Sequence, residues 1–143
     1  MKRLVVLSLI MCASVFLLMG CANESSSNGF TGTRYNMVEV YDDGWFRVLA
    51  DTANGSLSRT VTLDEESLYF FHVWSINDAG TVKLVFTQGN VTKTVDLTTS
   101  VLAKRLDLSS FAPDTPLTLR IDYSEAEMVH TLMIWYPDLL VCC

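Results

Sequence analysis

The run Leu117-Thr118-Leu119-Arg120-Ile121-Asp122-Tyr123 alternates apolar and polar residues without a break. Successive side chains of a strand point to opposite faces, so this run can hide its apolar residues on one side only as a β-strand. The same period of two recurs along the chain. Thr81 to Thr87 sets Val82, Leu84 and Phe86 on one face. Leu57 to Leu63 sets Leu57, Val61 and Leu63 together, with Arg59 interrupting that face at its rim.

Turn residues punctuate these runs. Asp42-Asp43-Gly44 lies between Tyr35 to Tyr41 and Gly44 to Ala50, a hairpin signal. Asn54-Gly55, within Asp51 to Ser56, reads as the next turn, and Asp64-Glu65-Glu66 as an acidic loop. Ser67 to Ile76 is apolar on both faces, which predicts a central strand or one with its second face covered. Val91 to Leu97 is Thr-rich and carries Lys93, which predicts an edge strand. Val101 to Leu108 fits either a strand or one helical turn. Ser124 to Glu127 reads as a turn before a last strand, Met128 to Tyr136. The total is about eight or nine short strands at sandwich or barrel spacing, with no long amphipathic helix after residue 20. The expected fold is all-β, a single antiparallel β-sandwich over residues 34–143. This order of hairpins resembles small extracytoplasmic β-sandwich modules of the jelly-roll or immunoglobulin-like kind, a likeness of architecture that implies no activity.

The first residues follow another logic. Lys2 and Arg3 precede an almost wholly apolar run from Leu4 to Met19. That run is shorter than the ~20 apolar residues of a membrane-spanning helix, and small polar residues follow it, as in a signal peptide. It closes on Leu18-Met19-Gly20-Cys21, which resembles the lipobox of bacterial lipoproteins. The resemblance implies cleavage after a signal peptide of residues 1–20 and a diacylglyceryl group on the Cys21 thiol. Met19 departs from the commonest residue at its place. Residues 21–33 then read as a lipidated cysteine and a flexible tether, because Asn23-Glu24-Ser25-Ser26-Ser27-Asn28-Gly29 has nothing to bury. The localisation implied is a cell membrane or outer membrane, lipid-anchored, with the domain outside the cytoplasm.

Charge narrows the partners. Without Lys2 and Arg3 the chain keeps 8 of its 10 basic residues against 16 acidic ones, a net charge of −8. That disfavours nucleic acid and other polyanions, whose binding rests on basic contacts. Cysteine offers little chemistry: beyond Cys12 and Cys21 only the adjacent Cys142 and Cys143 remain, without metal-ligand spacing.

Three groups of residues are candidates for a site. Trp45, Trp74 and Trp135, with Tyr35, Tyr41, Tyr69, Tyr123 and Tyr136, either pack the core or offer rings for sugars to stack on. Trp45, beside the Asp42-Asp43 turn, and then Trp74, before the turn at residue 77, are the ones expected at the surface, with Asp42 and Asp43 to meet ligand hydroxyls. His72 and His130 both fall in strands and could meet around a metal or act as a pH switch, though a hydrogen-bonded structural histidine is the commoner case. Asp42-Asp43, Asp64-Glu65-Glu66 and Glu125 with Glu127 are acidic loops without EF-hand spacing. No catalytic residues, metal ligands or cofactor motif are assigned. The expectation is a non-catalytic, lipid-anchored module of the cell envelope that binds a ligand such as a glycan, or another protein. The alternatives are an assembly lipoprotein that contacts an envelope protein through a sheet edge and, less supported, a small enzyme or enzyme inhibitor.

Overall fold

A computed structural model describes residues 29–136. The lipobox with Cys21, most of the tether, and Cys142 with Cys143 lie outside the described residues. Within them the chain is all-β with one short helix. The elements are β1 (Phe30–Tyr35), β2 (Val38–Asp42), β3 (Trp45–Leu63), α1 (Glu65–Phe70), β4 (His72–Ile76), β5 (Ala79–Gln88), β6 (Val91–Asp96), β7 (Val101–Arg105) and β8 (Thr115–Ile134).

All eight strands belong to one open antiparallel sheet, not to two separately bonded sheets. Its spine is the pair of long strands β3 and β8, in register from Trp45 opposite Ile134 to Leu63 opposite Thr115. Each free edge of this ribbon carries two shorter strands end to end. β2 and β1 line β3, while β4 and β5 line β8. β7 then extends β4, and β6 extends β5. The sheet therefore has a first half (β2, residues 45–50, residues 129–134, β4, β7) and a second half (β1, residues 52–63, residues 115–127, β5, β6).

The two halves fold towards each other. A straight 19-residue strand is roughly 60 Å long. Yet Gly44, just before β3, and Thr62, near its far end, line the same cavity. The crease lies between the halves. Buried positions on β3 switch from even (Phe46, Val48, Ala50) to odd (Ala53, Leu57, Val61, Leu63). β8 makes the matching adjustment with Glu125 and Met128 at left-handed φ of 49°, and the register shifts by one residue between Ala53 and Gly55. Gly32 on β1 stands opposite Gly55, and a Cβ on Gly55 would lie 2.1 Å from the Thr31 carbonyl oxygen. Only glycine lets the two backbones approach this closely.

The folded sheet encloses one apolar core that includes Phe46, Val48, Leu57, Leu84, Phe86, Leu119, Ile121 and Met133. Trp135 from the first half stacks on Phe71 (5.7 Å, 11° between planes), which meets Phe86 of the second half edge-on at 5.2 Å.

Several sequence expectations are corrected. Asn54-Gly55 makes no turn, because both flanks of β3 continue to pair with β8. Ser124 to Glu127 likewise bulges without ending β8. Ser67 to Ile76 is not one strand. Asp64 caps α1, its carboxylate accepting the Ser67 N–H at 2.7 Å, and the helix buries Leu68 before β4 begins. An Asp with two acids behind it is a helix start, so the acidic loop is the cap and first turn. β1 begins at Phe30, within the stretch read as tether, because backbone pairing to β3 rather than side-chain burial holds Thr31 and Thr33.

Candidate functional site

The pairing register sets side chains on the outer surface of the first half in three rows of four. Val38, Leu49, His130 and Ile76 form one row. Val40, Arg47, Leu132 and Trp74 form the next. Asp42, Trp45, Ile134 and His72 form the third, which β7 extends with Arg105. Residues between them on the same strands, among them Phe46, Val48, Thr131, Met133, Val73 and Ser75, point inward and are buried.

Eight of these twelve residues are aliphatic or aromatic, and Val38 and Ile76 remain 53% and 44% exposed. The outer surface of the second half provides the comparison. Its three rows are Ser56, Asp122, Lys83, Asp96; Ser58, Arg120, Val85, Thr94; and Thr60, Thr118, Thr87, Thr92. Only Val85 among those is apolar. The second half therefore has the ordinary solvated face of a half-buried antiparallel sheet, and the first half does not.

Arg47 sits at the centre of the apolar grid, with Val40 on one side and Leu132 on the other. It is half-buried, its Nε is buried without a hydrogen-bond partner, and it has no ion-pair partner among the described residues. Asp42 is its diagonal neighbour, but the Asp42 carboxylate accepts the Asp43 N–H at 2.8 Å. His130, diagonal to Arg47 across β8, has its pKa lowered from the usual 6.5, first by burial and then by the Arg47 charge. From the end of α1 into β4 the rings of Phe70, His72 and Trp74 follow one another at 4.8 and 6.0 Å. His72 Nδ1 is bonded to the Phe70 carbonyl, so Nδ1 carries the hydrogen and Nε2 is free to accept.

The structure thus brings Trp45, Trp74 and Asp42 to one face. Asp43 is in the β2–β3 turn and lines a different cavity, of about 390 Å³, with Asp64, Asp114 and Trp135. Trp135 is buried there. The histidines share the outer face but not a site, since His72 is opposite Ile134 and His130 opposite Ile76. Among the described residues, no three His, Cys, Asp or Glu are placed to hold a metal. Glu125 and Glu127 line a second cavity, of about 310 Å³, at the crease with Thr33, Thr52 and Asn54. Sequence reading overlooked Arg47, whose only signal is a cation in the otherwise apolar alternation of residues 45–49.

A separate cluster is structural. Glu39 on β2, with its side chain only 8% exposed, joins Arg34 (3.4 Å) and Arg59 (3.2 Å). The Arg59 guanidinium also lies over the rings of Phe46 (4.8 Å) and Tyr41 (5.1 Å). Burial, with Glu39 nearby, raises the pKa of the Tyr123 hydroxyl above its usual 10. Arg59 is therefore a paired residue inside the fold, tying β2 to the far half of β3.

No protein-family model matches this chain, and no curated protein matches it. Among the described residues no helix is long and apolar enough to cross a membrane.

Proposed function

We propose that this protein is a non-catalytic binding module of the cell envelope, held to a membrane by lipid on Cys21, whose working surface is the outer face of the first half. The observation that carries the reading is the contrast between the two outer faces of one sheet. One is Thr- and Ser-rich; the other is apolar and centred on Arg47, which has no ion-pair partner among the described residues. Aromatic and arginine side chains are the groups on which binding energy concentrates. The lipobox resemblance supports the anchor, and two or more acyl chains make anchoring durable.

Binding to isolated envelopes tests this reading. In a lipid-free form that starts at Ala22, Trp45→Ala with Trp74→Ala is expected to abolish co-sedimentation with the envelopes. Thr94→Ala with Thr118→Ala, on the opposite face, is expected to leave it unchanged. Equal binding by both variants would remove the face from consideration, and turnover in a hydrolase screen would remove the non-catalytic reading.

A second reading has one observation in its favour. Among the described residues β6 pairs only with β5, and Val91 at its start is exposed, so this edge offers backbone groups for strand addition by a partner protein.

A further inference from the structure

We infer that the outer face of the first half takes a sugar that carries a single carboxylate, with Arg47 as the carboxylate's partner and Trp45 or Trp74 as the platform for the ring. This rests on the reading of that face as the binding surface and adds the ligand's chemistry.

Size comes first. The grid has twelve residues and spans three strand gaps and two row steps, about 14 by 13 Å between outermost backbone positions. A stable protein–protein interface takes about 20–30 residues a side. Neither a second copy of this chain nor a globular partner is held by such a patch alone. An oligosaccharide is of the right scale.

Charge comes second. The half-buried Arg47 guanidinium lies among Val40, Leu49, Leu132 and Trp45, its Nε is buried without a hydrogen-bond partner, and no acid is paired to it among the described residues. Its fork geometry matches a carboxylate, and apolar surroundings strengthen the pair. The four other arginines among the described residues are already engaged: Arg34 and Arg59 with Glu39, Arg120 with Asp122, and Arg105 with the Tyr69 carbonyl.

The flanking groups fit a ring with hydroxyls. Trp45 is one row from Arg47 on the same strand, and Trp74 is in its row two strands away. The two tryptophans are roughly 12 Å apart at the backbone, on either side of Leu132 and Ile134. Asp42 and His72 Nε2 supply acceptors at the margin. The overall negative charge of the chain selects against repeated anions, so the ligand is a largely neutral glycan with an isolated acidic residue, not a polyuronate.

The test uses the detergent-solubilised full chain and disaccharides ending in glucuronate, galacturonate or mannuronate, each with its methyl ester and its neutral parent. Affinity is measured by titration, and the site by NMR shifts. At least one acid is expected to shift Trp45, Trp74 and Leu132 signals. Its methyl ester is expected to bind at least about tenfold more weakly, as loss of a charge-assisted hydrogen bond implies. Arg47→Gln should equalise acid and ester, and Arg47→Lys should restore part of the difference. Binding of acid should also raise the pKa of His130, which a merely structural Arg47 would not do. Equal affinity of acid, ester and neutral parent at this face would overturn the inference and leave the binding surface standing. Shifts confined to other surfaces, or none with any sugar, would overturn the inference; if the lipid-free double tryptophan variant still bound envelopes, the surface itself would fall with it.

Discussion

Glu39 and Arg59 are twenty residues apart in sequence and 3.2 Å apart in space, and that contact closes the fold between β2 and the far half of β3. Breaking a buried pair by removing one partner leaves the other charge uncompensated. Glu39→Gln is expected to cost about 2–4 kcal/mol, discounted from the buried-pair range because Arg59 keeps some contact with water. Urea unfolding of single and double variants measures it. Arg59→Met with Glu39→Gln should lose less than the sum of the singles.

Gly55 is expected to tolerate no side chain. Gly55→Ala brings a Cβ to 2.1 Å from the Thr31 carbonyl oxygen at a φ of +144°. Gly89 also has a positive φ, +55°, but its added Cβ would meet nothing within 4 Å. Gly89→Ala should therefore cost about 1 kcal/mol, from backbone conformation alone. Gly55→Ala should cost several-fold more or prevent folding, as thermal melts of the two will show.

Ser75 and Thr131 share a hydrogen bond of 3.1 Å at positions with no solvent exposure. Thr131→Val leaves the Ser75 hydroxyl without that partner and should cost about 1–3 kcal/mol. Adding Ser75→Ala should recover part of the loss, since no buried hydroxyl then remains from this pair. Denaturant midpoints of the three variants decide it.

Two groups give stability a pH dependence of known sign. His130 has a folded pKa below its usual 6.5, so the unfolded chain binds the proton more readily. Its contribution is fully present above 6.5 and is lost as pH falls through the lowered folded pKa. Asp64 is held below its usual 3.8 by the Ser67 side-chain and backbone hydrogen bonds. Its contribution is present above 3.8 and is lost as pH falls through the lower folded value. His130→Gln should flatten the first slope and Asp64→Ala the second, with a loss near neutral pH of about 1 kcal/mol for the missing cap. Melting temperatures from pH 3 to 8 measure both.

The elements most legible in the sequence were those whose alternation is unbroken, such as Leu117 to Tyr123 and Thr81 to Thr87. Errors arose where local signals met long-range pairing. Asn54-Gly55 is a turn signal only if its flanks pair with each other, and here both pair with β8. Two-sided apolarity from Ser67 to Ile76 hid a helical turn, because Leu68 and Phe71 are spaced for a helix as well as for core contact. The turns beside Trp45 and Trp74 lead to the expectation of exposure, and both lie half-buried on the outer face. That they share a face with Arg47 does not follow from those turns, since the rows join residues from four strands spanning residues 38 to 134. Arg47 was missed because isolation from acids is a property of three dimensions.

Hydroxyl-radical footprinting of the membrane-anchored protein on intact envelopes, against the detergent-solubilised protein, tests the binding surface most directly. Protection of Val38, Trp45, Trp74 and Ile76, with the exposed Lys83 and Arg120 on the opposite face unchanged, is the expected result. Equal oxidation of both faces in both preparations, or protection confined to the Thr-rich face, would contradict it.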